Sequence, residues 1–175
     1  KIAAYEATDF TLLRKIANQG IEYLVLEVTS HGLDQYRFLG CPFLVGVVTN
    51  ITHEHLDYHK TFEDYRSTKA RLLEGVRFVV LNRDDPNYVF LKARLSPETK
   101  LIAFSKEYFI DERAGQSIFK EGELSMNRGG LSFNLVSPGG QLDLQSPLLG
   151  EYNLENILAA ASVGLALEVA PATII

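Results

Sequence analysis

The sequence predicts an α/β domain: a mostly parallel sheet flanked by helices, carrying a small antiparallel β meander. Three observations predict it. The runs IEYLVLEV, FLVGVVTN, RFVVLN and KLIAFS are apolar almost throughout, as strands covered on both faces are. Segments of helical period separate the later runs, and strand alternating with helix builds a parallel sheet. Beyond Ser105 polar and apolar residues alternate and glycine pairs interrupt them, which marks hairpins.

Taken in order, DFTLLRKIANQG reads as an amphipathic helix with Asp9 as N-cap and Gly20 as its stop. Strands follow at 21–28 and 43–50, then a helix from Phe62 to Glu74, a strand at 77–82, a helix near 86–95 and a strand at 100–105. Within 117–146, Glu121-Gly122, Gly129-Gly130 and Gly139-Gly140 read as hairpin turns. A long helix then begins, its start marked by Asn153, and Pro171 opens a further helical turn. The whole of 1–175 reads as one domain, with 106–147 as an antiparallel subregion inside it. A start at Lys1 and an end at PATII suggest a piece of a longer protein.

Composition narrows the partners. A net charge of -5 provides no basic field for nucleic acid. No apolar run approaches the roughly 20 residues of a membrane span, so no membrane association is expected. One cysteine, Cys41, excludes an internal disulfide and suits the reducing cytoplasm. A monomer is expected.

Ligands of open α/β sheets bind beyond the carboxyl ends of strands, and that rule selects residues here. Glu27 is the only charge within YLVLEVTS; a carboxylate there is paired or metal-bound, or else sits at a wet rim. Phe62, Tyr65, Lys69, Leu72 and Leu73 share one helical face, so Lys69 either snorkels to water or is held in a site. THEHLDYH brings three of the four histidines together. They line a polar loop or bind metal, but the spacing is not that of a zinc helix, whereas one histidine with Glu27 and water would suit magnesium.

LEVTSHGLDQYR, VVTNITHEHLDYHKTFEDYRSTKARLLE, LNRDDPN and LLGEYNLENILAAASVGLAL resemble, in order and spacing, the central domain of the Mur ligases, and most of all the tripeptide-forming members. The resemblance implies an ATP-dependent amide ligase of peptidoglycan precursor synthesis. Such an enzyme adds a diamino acid, meso-diaminopimelate or L-lysine, to UDP-N-acetylmuramoyl-L-alanyl-D-glutamate through an acyl phosphate, with ATP and Mg2+ as cofactors. It implies Glu27 and His55 as magnesium ligands, and Lys69 as a lysine carbamylated by carbon dioxide that binds a second magnesium; these three form the catalytic set. It further implies Thr29, Ser30, Gln35 and Arg37 at the nucleotide-sugar dipeptide, and Asn153 and Asn156 at adenine. Asn50 falls with the cofactor-binding residues, while His31, His53, Asp57 and His59 receive no defined role.

The sequence departs from the family in two places. It contains no G-x-x-x-x-G-K-[ST] phosphate-binding loop, and AAYEATDF offers only Thr8 where the family commonly has Thr-Thr-Pro. The domain that recognises the incoming amino acid is also missing, so this chain alone is expected to be inactive. Two alternatives remain: another amide ligase of the superfamily, such as a folylpolyglutamate synthetase or an archaeal relative, and a metal-binding hydrolase.

Overall fold

The structure, a computed structural model, describes residues 2–5, 10–52 and 57–174. The chain divides into two compact units, residues 1–42 with 53–72, and residues 43–52 with 73–175.

In the first unit, β1 (Ile2–Tyr5) pairs in parallel with β2 (Tyr23–Leu26), Ile2 opposite Tyr23 and Tyr5 opposite Leu26. The helix α1 (Phe10–Asn18) joins them, and Gly20, at φ +66°, ends the turn that follows. The expected cap Asp9 lies outside the described residues. The strand β2 is shorter than the apolar run and is not covered on both faces: Tyr23 and Val25, two residues apart and so on one face, are 48% and 58% exposed. A short helix that periodicity does not reveal, α2 (Ser30–Asp34), follows. Last comes α3 (Phe62–Ala70), capped by Thr61, whose Oγ1 accepts from the Asp64 N–H; a 3-10 turn at Arg71–Leu73 extends it.

The second unit is built on one six-stranded sheet. The strands β3 (Val45–Val48), β4 (Phe78–Asn82) and β5 (Lys100–Ser105) run parallel, and β6 (Gln116–Asn127) joins β5 in the same direction. From there β7 (Gly130–Ser137) and β8 (Gly140–Ser146) run antiparallel. The meander therefore continues the parallel sheet edge to edge. Two of the three expected hairpin turns form, at Arg128-Gly129 and Pro138-Gly139. The third does not: Glu121-Gly122 lies inside β6, where the register shifts between Glu121 and Ser125 and Gly122 takes φ +70°. It is a bulge, which bends a strand without reversing it. Gly130 is required as glycine, since at φ +121° a Cβ would stand 1.8 Å from the Ser146 carbonyl oxygen.

The short helix α4 (Tyr88–Lys92) follows β4, and α5 (Tyr152–Ala166) packs over β4, β5 and β6. Val80, Ile102, Phe104 and Ile118 of the sheet meet Leu154 and Leu158 of α5, all essentially buried. Truncating an aromatic residue in such a core costs ~3–5 kcal/mol. Asn153 is not the N-cap of α5. That place is Glu151, with no side-chain cap, and Asn153 donates to the Leu149 carbonyl. Pro171 does open a last turn, α6 (Pro171–Ile174). Among the described residues no helix is long and apolar enough to cross a membrane.

Candidate functional site

In the first unit the residues gather just past the carboxyl end of β2. Glu27 is exposed one residue beyond Leu26, so the rim position is the one observed. Thr29 caps α2, its Oγ1 accepting from the Gly32 N–H at 3.1 Å, which leaves the hydroxyl proton to donate elsewhere. Ser30 is buried, 2% exposed, and its Oγ has no hydrogen-bond partner. Gln35 and Arg37 are exposed and linked, Arg37 Nε donating to Gln35 Oε1 at 2.9 Å. That bond orients the guanidinium while sparing its two terminal nitrogens, the pair suited to phosphate or carboxylate.

Lys69 is half-buried on α3, its Nζ 5.3 Å from the Tyr65 ring centre. The Tyr65 ring lies 5.3 Å from that of His59, which stands edge-on to Tyr58 at 4.9 Å and 5.8 Å from His31. Tyr58 in turn donates to Asp34 of α2 at 2.8 Å. A ladder of rings thus ties α3 to α2. His59 is no solvated loop residue: it is 5% exposed, and its Nε2 has no hydrogen-bond partner among the described residues. Asp57 is exposed. His53 and His55 lie outside the described residues, and with them one expected metal ligand. Among the described residues no three His, Cys, Asp or Glu side chains converge as a metal site, and no described contact joins Glu27 to Lys69.

In the second unit the carboxyl ends of β3, β4 and β5 lie side by side. Asn50 is exposed just past β3. The loop after β4 grips the next peptide: Asp85 Oδ2 accepts from the Ile51 N–H at 2.8 Å, and Asn87 Nδ2 donates to the Ile51 carbonyl at 3.1 Å. Asn82, the last residue of β4, donates to Glu155 of α5 at 3.2 Å. Glu155 also pairs with Lys106 at 2.9 Å, and this hydrogen bond raises the Lys106 ammonium above the usual lysine range. Asp84 accepts from Ser105 Oγ and the Lys106 N–H. The first turn of α5 is thereby tied to the sheet edge. On that turn Asn153 Nδ2 donates to the Leu149 carbonyl at 2.8 Å and Asn156 Nδ2 to Asn153 Oδ1 at 3.1 Å.

Sequence reasoning assigned no role to Asn82, Asp85, Asn87, Lys106 or Glu155. LNRDDPN held the one available signal, a cluster of small polar residues directly after an apolar strand.

Comparison with known proteins adds the context. The Mur ligase middle domain family matches residues 6–164. A UDP-N-acetylmuramoyl-L-alanyl-D-glutamate--2,6-diaminopimelate ligase of Trichormus variabilis is 42% identical over 160 residues, 89% of this chain and 30% of the relative. UDP-N-acetylmuramyl-tripeptide synthetase 2 of Oceanobacillus iheyensis is 36% identical over 160 residues, 87% of this chain and 31% of the relative. A solved structure of a UDP-N-acetylmuramoyl-L-alanyl-D-glutamate--2,6-diaminopimelate ligase superposes with a TM-score of 0.81 at 31% identity, covering 94% of this chain and 34% of that one. The chain therefore spans about a third of the length of the relatives it matches.

Proposed function

Because this chain belongs to the Mur ligase middle domain family, we propose that it is the central, ATP-using part of a cytoplasmic ligase. The ligase adds a diamino acid to UDP-N-acetylmuramoyl-L-alanyl-D-glutamate. The observation that carries this reading is the likeness, along most of the chain, to relatives named for that acceptor. Their names give 2,6-diaminopimelate as the amine in most cases.

The reaction has two displacements. The D-glutamate carboxylate attacks the γ-phosphorus of ATP, the bond to the β-phosphate oxygen breaks, and ADP leaves an acyl phosphate. The diamino acid's amine then attacks the acyl carbon, phosphate departs, and the nitrogen loses a proton. Catalysis of such transfers is mainly positioning and charge stabilisation. Thr29, Ser30, Gln35 and Arg37 would hold the precursor, and Asn50, Asn153 and Asn156 the nucleotide.

Glu27 fits a hard cation, being a carboxylate past a strand end that makes no ion pair or hydrogen bond among the described residues. Glu27, His55 and Lys69 would hold Mg2+, which when bound offsets the charge that builds on transferring oxygens. Lys69 fits only after its neutral amine has added to carbon dioxide with loss of a proton, which turns a cation into an anion.

The test is phosphate release by a ligase that carries this chain, given ATP, the dipeptide precursor and diaminopimelate. Release that depends on both acceptor and amine is expected. ATP left unconsumed when all three are present would sink the assignment.

A further inference from the structure

Tyr36 stands at φ +56°, in the left-handed region that bulky side chains rarely enter. It is the residue just past the cap of α2, and the bonds around it complete a helix stop. The Tyr36 N–H donates to the Leu33 carbonyl at 3.2 Å, and the Arg37 N–H to the Gly32 carbonyl at 2.9 Å. Glycine is the usual residue at such a stop, because without a Cβ it bears no strain there. Past α1 the chain follows that usage with Gly20; past α2 it places a tyrosine.

The strained turn brings its two neighbours together. Residues two apart do not face each other on a helix, yet Arg37 Nε donates to Gln35 Oε1 at 2.9 Å, because the left-handed residue between them turns the chain. A strained conformation persists only where its surroundings hold it. Here the guanidinium of Arg71, at the end of α3, lies 4.5 Å from the centre of the Tyr36 ring, within cation–π range. The tyrosine is 62% exposed, so filling of the core does not account for it. A glycine would end α2 with less strain but would give Arg71 nothing to hold.

We propose that Tyr36 and Arg71 are positioning residues for the acceptor. Arg71 pins the Tyr36 ring, and the pinned turn keeps Gln35 and Arg37 paired. The pair then presents the two terminal nitrogens of Arg37 as a fixed fork to an anionic group of the precursor. Neither Tyr36 nor Arg71 needs to touch that group. The inference rests on the reading that Gln35 and Arg37 hold the precursor.

Tyr36→Gly removes the ring and relaxes the turn. In a ligase that carries this chain, it should raise KM for the precursor about tenfold and leave KM for ATP within about twofold. Calorimetric titration with the precursor, without ATP, should show the same loss of affinity. Arg71→Gln should raise the precursor KM several-fold from the other side of the contact, whereas Tyr36→Phe keeps the ring and should keep the KM of the unaltered enzyme. An unchanged precursor KM in Tyr36→Gly or in Arg71→Gln overturns the pin, as does a Tyr36→Phe variant as impaired as Tyr36→Gly. A merely structural turn would lower the unfolding temperature and kcat without separating the two KM values, and that result overturns it too. Arg37→Ala tests the reading beneath: if precursor affinity survives that substitution, Gln35 and Arg37 do not hold the precursor and the pin falls with them. Affinity lost in Arg37→Ala but intact in Tyr36→Gly would sink the pin alone.

Discussion

Lys69 is the residue at which a packing role and a chemical one give different results. Its stem follows the apolar face of α3 and its ammonium rests against Tyr65, a contact worth about 1 kcal/mol or less to stability. As a carbamate it would instead contribute negative charge where magnesium and phosphate meet. Replacing Lys69 with Ala should then cost at least about 100-fold in rate, the size of a few kcal/mol of transition-state stabilisation. A short-chain carboxylic acid should restore part of it by supplying the missing anion. Phosphate release with and without the added acid measures both effects, and full activity in the variant would refute the role. Lys69 and Glu27 stand out in the sequence because a charge interrupts an apolar pattern. His59 does not, since a histidine within a polar stretch has no period to betray it. Its burial depends on Tyr65 and His31, which only folding brings against it.

Among the elements, the short helix α4 is pinned by a side chain outside it. Five residues make too short a helix to persist alone. Asp111, from the segment after β5, accepts from Tyr88 at 2.8 Å and from Lys92 at 2.7 Å, and also from the Arg113 N–H at 2.9 Å. Burial alone would raise the Asp111 carboxyl, but these bonds outweigh it and hold it at about 2, against 3.8 for a free side chain. Burial and the bond to Asp111 together push the Tyr88 phenol well above its usual range. A depressed carboxyl stabilises the fold above its unfolded value and loses that contribution as pH falls through its folded one. Stability should therefore drop between about pH 4 and pH 2, and Asp111→Asn should flatten that drop and cost about 2 kcal/mol near neutrality. Denaturant unfolding across that range is the measurement; an identical pH slope in the variant would dismiss the pin. Elements such as β4 and β5 could be read from sequence because their apolar runs are buried on both faces. Glu121-Gly122 misled because glycine at positive φ serves a bulge and a turn equally well, and only the neighbouring strand decides which.

At the scale of the whole molecule, the residues proposed to face base and acceptor lie in this chain, whereas the glycine-rich motif that grips phosphates does not occur in its sequence. ATP is held for transfer by backbone N–H groups and a lysine in a glycine-rich loop, and no G-x-x-x-x-G-K-[ST] occurs in these 175 residues. The contacts proposed for α5 are a few neutral hydrogen bonds, each worth about 1 kcal/mol net. Their sum reaches roughly the 4 kcal/mol of a millimolar complex and no more. Base contacts, moreover, are equal in the ground and transition states, so they bind without accelerating transfer. The 175-residue chain alone should thus bind ATP no tighter than about millimolar and release no phosphate when given precursor and diamino acid. Calorimetric titration with ATP and a phosphate assay on the isolated chain test the two halves separately. Micromolar binding would mean that phosphate contacts exist within the chain after all. Sustained phosphate release would go further, showing that the chain completes a transfer site by itself.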